Sequence, residues 1–324
     1  MKNRFLPFAC LASLLLSVAT FGNAPPTGSV TVSGTAQVGQ TLTVANNLAD
    51  ADGLGTITYQ WRRDGVPIML GGTLKDGVDG VDGLNAPQAV KISPDQKYLY
   101  VTGYNDDSVS WFERNASTGA LSYGGTLENG NGGTEGLDAA NGLTFSADGR
   151  QAYVASASDY VVWLERNSST GALTFGGSFK DGVGGVDGLD AARNVTLSPD
   201  GLQVYVTGTN DNSVSWFTRD ANTGALSIGG LLKKDLDGIN GLNAAYGIVV
   251  TADGAHTYVT SHQDDSVSWF DRNASTGALT HKGTFKNDLM NGARHVTLSN
   301  DEEHAYVAGY ADDSVSWFER NAST

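Results

Sequence analysis

Aspartate is the residue type in this chain most ready for chemistry. Asp76, Asp79 and Asp82 crowd one glycine-rich stretch, and the pairs Asp106–Asp107, Asp264–Asp265 and Asp312–Asp313 recur further on. Carboxylates and carbonyls on loops are what calcium takes, at about six to eight oxygen ligands. Calcium is therefore the one cofactor that this pattern admits. The EF-hand alternation with its closing glutamate is missing, and solvated turns using Asp and Gly for backbone freedom are the alternative. His256, His262, His281, His295 and His304 show neither metal-ligand spacing nor pairing with a nucleophile, and there is no Gly-x-Ser-x-Gly elbow.

These residues sit in a repeat. DSVSWFERNASTGAL begins at Asp107, DYVVWLERNSSTGAL at Asp159, NSVSWFTRDANTGAL at Asn212 and DSVSWFDRNASTGAL at Asp265, with a shorter copy from Asp313. The tryptophans at 111, 163, 216, 269 and 317 are 52, 53, 53 and 48 residues apart. A period of this length marks stacked supersecondary units. Each unit holds four short runs rich in Val, Thr, Tyr, Trp and Phe, separated by Gly, Asn and Asp, which predicts four strands. Four-stranded units repeated around an axis predict an all-β propeller of five blades over residues 69–324. In the third strand Val109 and Trp111 must face one way, Ser110 and Phe112 the other. Both faces are then covered, and the tryptophans are expected in the core.

Residues 70–77 (LGGTLKDG) match the fourth strand of the second unit, 175–182 (FGGSFKDG). The array thus opens with an orphan fourth strand and its last unit lacks one. The expectation is that residues 70–74 complete the last blade and pair with residues 315–319, which removes two open edges.

A ligand site on a repeat scaffold is sought where the repeat stops repeating. At the start of the innermost strand the five units carry Gln88, Asn141, Arg193, Tyr246 and Arg294, with apolar residues following. His262 and His295 are expected close to the same rim. The two guanidinium groups could orient a carboxylate or phosphate through charge-assisted bonds. Relaxed selection at a solvent-lined channel would leave the same divergence.

The net charge of −15 opposes nucleic acid and anionic membranes. Lys2 and Arg4 precede an apolar run at residues 11–18 that is too short to span a bilayer, so residues 1–24 read as a secretory signal. No membrane span is expected after its removal. Cys10, the only cysteine, lies in the apolar region of that signal, so the exported chain would have no disulfide.

The second strands read YVTG at Tyr100, YVAS at Tyr153, YVTG at Tyr205, YVTS at Tyr258 and YVAG at Tyr306. With the Ser-Pro-Asp turns and Thr-Gly-Ala-Leu hairpins, residues 69–324 resemble the YVTN-type repeats of the bacterial lactonase-like β-propeller family. That resemblance implies a ring that is usually of seven blades, and members that include 6-phosphogluconolactonases and surface-layer repeat proteins. Residues 25–68, with VGQTL at Val38 and YQWRRDG at Tyr59, resemble half of a bacterial immunoglobulin-like surface module, with Trp61 as its buried tryptophan. Two functions follow. One is an exported propeller that binds an extracellular or cell-surface protein or glycan through its acidic loop face. The other is a lactonase-like hydrolase with its site at the channel mouth.

Overall fold

Alternating β-branched and aromatic residues between Gly- and Asp-rich turns produce strands almost throughout. The computed structural model describes residues 13–14, 27–33, 43–49, 59–60, 71–234, 236 and 239–320. Two units result, residues 1–71 and 72–324. In the first, β1 (Ser13–Leu14) pairs with β4 (Tyr59–Gln60), and β2 (Val30–Ser33) with β3 (Thr43–Asn46), both antiparallel. Trp61 and most of the expected signal lie outside the described residues.

The second unit is the propeller. Blade 1 comprises β5 (Pro87–Ile92), β6 (Tyr98–Gly103), β7 (Ser108–Arg114) and β8 (Leu121–Glu128). Blade 2 is β9 (Ala140–Phe145), β10 (Gln151–Ser156), β11 (Tyr160–Arg166) and β12 (Leu173–Lys180). Blade 3 is β13 (Ala192–Leu197), β14 (Gln203–Gly208), β15 (Ser213–Arg219) and β16 (Leu226–Lys233). Blade 4 is β17 (Ala245–Val250), β18 (His256–Ser261), β19 (Ser266–Arg272) and β20 (Leu279–Lys286). Blade 5 holds β21 (Ala293–Leu298), β22 (His304–Gly309) and β23 (Ser314–Glu319). Each sheet is an antiparallel meander, and the first strands of successive blades neighbour one another around the axis.

The core lies between blades. Tyr100, Val109 and Trp111 of blade 1 pack on Leu143, Val154 and Leu164 of blade 2, while Phe112 faces the other way with Val81 and Val101. Strand alternation thus assigns the two faces as expected.

A buried strut crosses each blade interface. Arg166, closing β11, donates from Nε to the Tyr100 hydroxyl of the preceding blade at 2.6 Å and from Nη2 to Asp95 at 2.9 Å. Burial pushes the Tyr100 phenol up to about 12, so it stays neutral and donates in turn to the Gly171 carbonyl at 2.7 Å. Arg219–Tyr153 (2.6 Å), Arg272–Tyr205 (2.9 Å) and Arg320–Tyr258 (2.8 Å) repeat the pairing.

The expected closure does not form. The fifth sheet has three strands among the described residues, and residues 71–75 are exposed and belong to no strand. Trp111 and Trp216 are 9% and 7% exposed, but Trp317 is 72% exposed, so the core placement fails for that one. Among the described residues the Arg114 side chain bonds only the Gln96 carbonyl at 3.2 Å, and Tyr306, the tyrosine a closed ring of five would give it, is exposed. Among the described residues the outer edge of β23 is therefore unpaired.

Candidate functional site at the channel mouth

An unusual backbone turn sets the start of each inner strand. Ala86, Ala139, Ala191 and Ala244 have φ of 52–55°, and Gly292 has φ of 70° at the same place in blade 5. Left-handed alanines are strained and persist only when the surroundings hold them. Here the holders are side chains of the preceding blade. The Ala139 amide donates to Asp107 Oδ1 (2.8 Å), that of Ala191 to Asp159 Oδ1 (2.9 Å), that of Ala244 to Asn212 Oδ1 (2.7 Å) and that of Gly292 to Asp265 Oδ1 (2.8 Å).

Threonines of the second strands then fix the carbonyl two residues on, across the blade interface. Thr102 Oγ1 donates to the Asn141 carbonyl (2.8 Å), Thr207 Oγ1 to that of Tyr246 (2.7 Å) and Thr260 Oγ1 to that of Arg294 (2.6 Å). Blade 2 has Ala155 at this place and leaves the Arg193 carbonyl without such a staple.

Five of the seven candidate ligand residues come together. Tyr246 stands between two guanidinium groups, with Arg193 Cζ 5.9 Å and Arg294 Cζ 5.3 Å from its ring centroid. His295 meets the Tyr246 ring edge-on at 5.7 Å, and His262 lies 6.3 Å from it. Tyr310, which the sequence reading missed, lies under Arg294 with Cζ 3.5 Å from its centroid. It occupies the repeat position of His262 one blade on, and that equivalence was the available signal. Gln88 is exposed and donates to the Ala86 carbonyl at 3.3 Å, outside this cluster. Asn141 is buried in blade 2, also outside it.

The cluster has unused hydrogen-bonding capacity. Arg193 Nε, Arg294 Nε and His262 Nδ1 are buried without a partner, and neither arginine has an ion pair among the described residues. Unpaired buried nitrogens carry a desolvation cost that an anionic ligand would offset. His295 is accessible yet crowded. Desolvation, then the charges of Arg294 and Lys91, push its imidazole below the ordinary value, so it is neutral at pH 7.

His262 has a specific seat. A Cβ on Gly292 would stand 2.9 Å from its Cε1 and 3.1 Å from its Nδ1. Alanine is accepted at this turn in the other four blades, so Gly292→Ala should act mainly by displacing the imidazole. We expect a melting temperature within about 3 °C of the parent, since a left-handed alanine costs about 1 kcal/mol. The shifted His262 Hε1 NMR resonance checks the displacement.

Most candidate metal ligands accept backbone amides. Asp106, Asp264 and Asp312 accept the amides of Asn85 (2.8 Å), Asn243 (3.0 Å) and Asn291 (2.8 Å), and Asp107 and Asp265 hold the turns described above. Asp79 and Asp313 are exposed. Asp76, Asp82 and Asp106 do converge, with ligand oxygens within 4.8 Å of one another, as do Asp181, Asp187 and Asp211 in blade 3. There Lys233 supplies the cation, 2.6 Å from Asp187 and 2.8 Å from Asp211. Blade 1 carries Glu128 in the register of Lys233, opposite Ser108 as Lys233 is opposite Ser213. Glu128→Lys should therefore stabilise the protein by about 0.5–1 kcal/mol at low salt, which thermal melts at two ionic strengths would check.

With fold and site described, the chain can be placed among known proteins. The sequence profile of the family described as lactonase, seven-bladed β-propeller, matches residues 71–184 and 185–324. Three similar solved structures illustrate the shared fold. A protein from Lactobacillus plantarum is 20% identical, with a TM-score of 0.63 over 73% of this chain and 68% of that one. A putative 6-phosphogluconolactonase from Bacteroides fragilis is 18% identical, with a TM-score of 0.62 over 75% and 68%. The periplasmic gluconolactonase of Pseudomonas aeruginosa is 20% identical, with a TM-score of 0.60 over 72% and 66%. No curated protein matches the sequence. Among the described residues no helix is long and apolar enough to cross a membrane. The chain belongs to the lactonase β-propeller family, and five blades of that propeller are present in it.

Proposed function

We propose that the mouth formed by blades 3, 4 and 5 binds an anionic sugar lactone and hydrolyses it. The observation that carries this reading is the convergence of Arg193 and Arg294 on Tyr246, with their Nε atoms buried and unpartnered. The names of two similar structures, a putative 6-phosphogluconolactonase and a gluconolactonase, support the substrate class.

In this reading the guanidinium groups hold the substrate's phosphate or carboxylate, and Tyr246 supplies an apolar wall for the ring. Neutral His295 takes a proton from water as the water oxygen attacks the lactone carbonyl carbon. The ring C–O bond then breaks, and the proton passes to the departing ring oxygen, giving a hydroxy acid. A base whose pKa is lowered keeps its active form to lower pH. The acid limb of kcat/KM should therefore fall below pH 6.5, with a plateau through pH 7.

The test is pH-stat hydrolysis of 6-phosphogluconolactone and of uncharged gluconolactone. Faster turnover of the phosphorylated lactone with that acid limb is expected. Absence of both turnover and calorimetric binding of it would remove the reading.

A second reading keeps the acidic loops as a docking face for an extracellular protein or glycan, and it is favoured by the exposure of Asp79, Asp312 and Asp313. It rests on export directed by residues 1–24, which N-terminal sequencing of the product recovered outside the cell would check. Calcium belongs to this reading at Asp76, Asp82 and Asp106. Millimolar calcium, against a magnesium control, should then raise the melting temperature of the parent and not of Glu128→Lys.

A further inference from the structure

We propose that the two arginines of the mouth hold a ligand in different ways. Tyr310 is a positioning residue that presets Arg294 as a fixed anchor for an anionic group, while Arg193 is ordered only when the ligand arrives. Tyr310 then sets affinity for the anionic end of the lactone, a role that rests on the hydrolase reading.

Arg294 is held at both ends. Its carbonyl accepts the Thr260 hydroxyl at 2.6 Å, and its Cζ lies 3.5 Å from the Tyr310 ring centroid. The ring is in turn tied to the turn that starts the same strand. The Tyr310 amide donates to the Gly292 carbonyl at 3.1 Å, and the Ala311 amide to that of Asn291 at 2.9 Å. Asp265 of blade 4 holds the Gly292 amide at 2.8 Å. A guanidinium over an aromatic face is attracted by the ring quadrupole, and its N–H groups, which lie in its own plane, stay available to a ligand.

Arg193 has neither hold. In blades 1, 3 and 4 the threonine hydroxyl that holds the neighbouring carbonyl also accepts an amide of its own inner strand, from Ala89 (2.9 Å), Asn194 (3.1 Å) and Gly247 (2.9 Å). Ala155 removes that tie between blades 2 and 3, and the strands have not closed up on the missing hydroxyl. A Cβ on Gly142 would stand 2.8 Å from the Arg193 carbonyl oxygen, against 2.3 Å for Gly247 and Arg294. Thr209 takes the place of Tyr310, with its amide on the Ala191 carbonyl at 3.2 Å. Its hydroxyl is turned to the Ala245 carbonyl of blade 4 at 3.0 Å and gives Arg193 no platform. Among the described residues the ring beside Arg193 is Tyr246, at 5.9 Å, near the limit of about 6 Å for such an attraction.

A preset guanidinium gives up little freedom on binding, whereas a free one loses rotamer entropy that the ligand must offset. Loss of the Tyr310 face weakens a hold that ground state and transition state share, which raises KM and leaves kcat.

The test compares the full chain with Tyr310→Ala and Tyr310→Phe. Tyr310 is 62% exposed, so both variants should fold as the parent does. In Tyr310→Ala the Kd for inorganic phosphate and the KM for 6-phosphogluconolactone should rise about fivefold, with kcat changed by less than about twofold. Tyr310→Phe keeps the ring face and should restore parent values. In the free parent the NMR order parameter of Arg294 Nε–Hε should approach ~0.85 and that of Arg193 should fall below ~0.6. Tyr310→Ala should bring Arg294 down to the Arg193 level. Equal mobility of the two arginines in the parent, or phosphate affinity indifferent to Tyr310→Ala, would overturn the proposal. So would a parent that binds no phosphate. Tyr310-dependent phosphate binding without lactone turnover would instead remove the hydrolase reading and keep the anchor.

Discussion

Arg193→Ala combined with Arg294→Ala is expected to lower kcat/KM for an anionic lactone by about 10²–10⁴-fold. Each charged hydrogen bond to a ligand is worth about 1.5–3 kcal/mol, and two are removed. The fold should survive. At Arg294 the structural bond is from Thr260 to the backbone carbonyl, which alanine keeps, and the Arg193 carbonyl has no such bond to lose. Both guanidinium groups lie on Tyr246 at the mouth and outside the hydrophobic clusters between blades. The readout is the split between affinity and stability. Loss of turnover with a melting temperature within a few degrees of the parent fits the proposed site. Unchanged turnover would move the chemistry elsewhere and favour the docking-face reading.

The second large effect is on stability. Arg272 is 7% exposed and joins blade 4 to blade 3 through Tyr205 (2.9 Å), Asp200 (2.8 Å) and Gln203, while bonding the Gly254 carbonyl of its own blade at 2.9 Å. Arg272→Ala should cost about 3 kcal/mol, the lower end for breaking a buried pair. The lower end applies because Asp200 keeps partial solvation and Tyr205 keeps its bond to the Gly277 carbonyl. Chemical denaturation of the parent and the variant measures the difference.

The same strut predicts the acid limit. Burial would raise the Asp200 carboxyl, but hydrogen bonds from Ser198, Leu202 and Arg272 together hold it below the ordinary range. Asp95 is depressed in the same way, against its own desolvation, by Ser93, Arg166 and Lys97. A carboxyl depressed on folding adds stability above its unfolded pKa of about 3.9, and loses that contribution as pH falls through the folded value. Stability should therefore drop below about pH 4, and less steeply in Arg272→Ala.

The blade was legible in the sequence because its constraints are local and periodic. Trp111 and Phe112 point to opposite faces whatever the neighbours, and Gly-Gly next to a tryptophan strand marks where an indole must fit. The places of Arg193, Tyr246, Arg294, His262 and His295 could be read as one rim because a repeat brings equivalent positions to one end of the sheet. The tertiary structure alone decided what those residues meet. Tyr310 lies under Arg294, and Gln88 and Asn141 fall outside the cluster, through side-chain directions that no period encodes. It also gave Asp106, Asp107, Asp264, Asp265 and Asp312 backbone amides to hold, up to 32 residues away. Ring closure lay furthest from the sequence. Residues 70–77 carry a complete fourth-strand pattern, yet whether that strand reaches Trp317 depends on the angle summed over four blade interfaces. Among the described residues that pairing is absent and Trp317 is exposed.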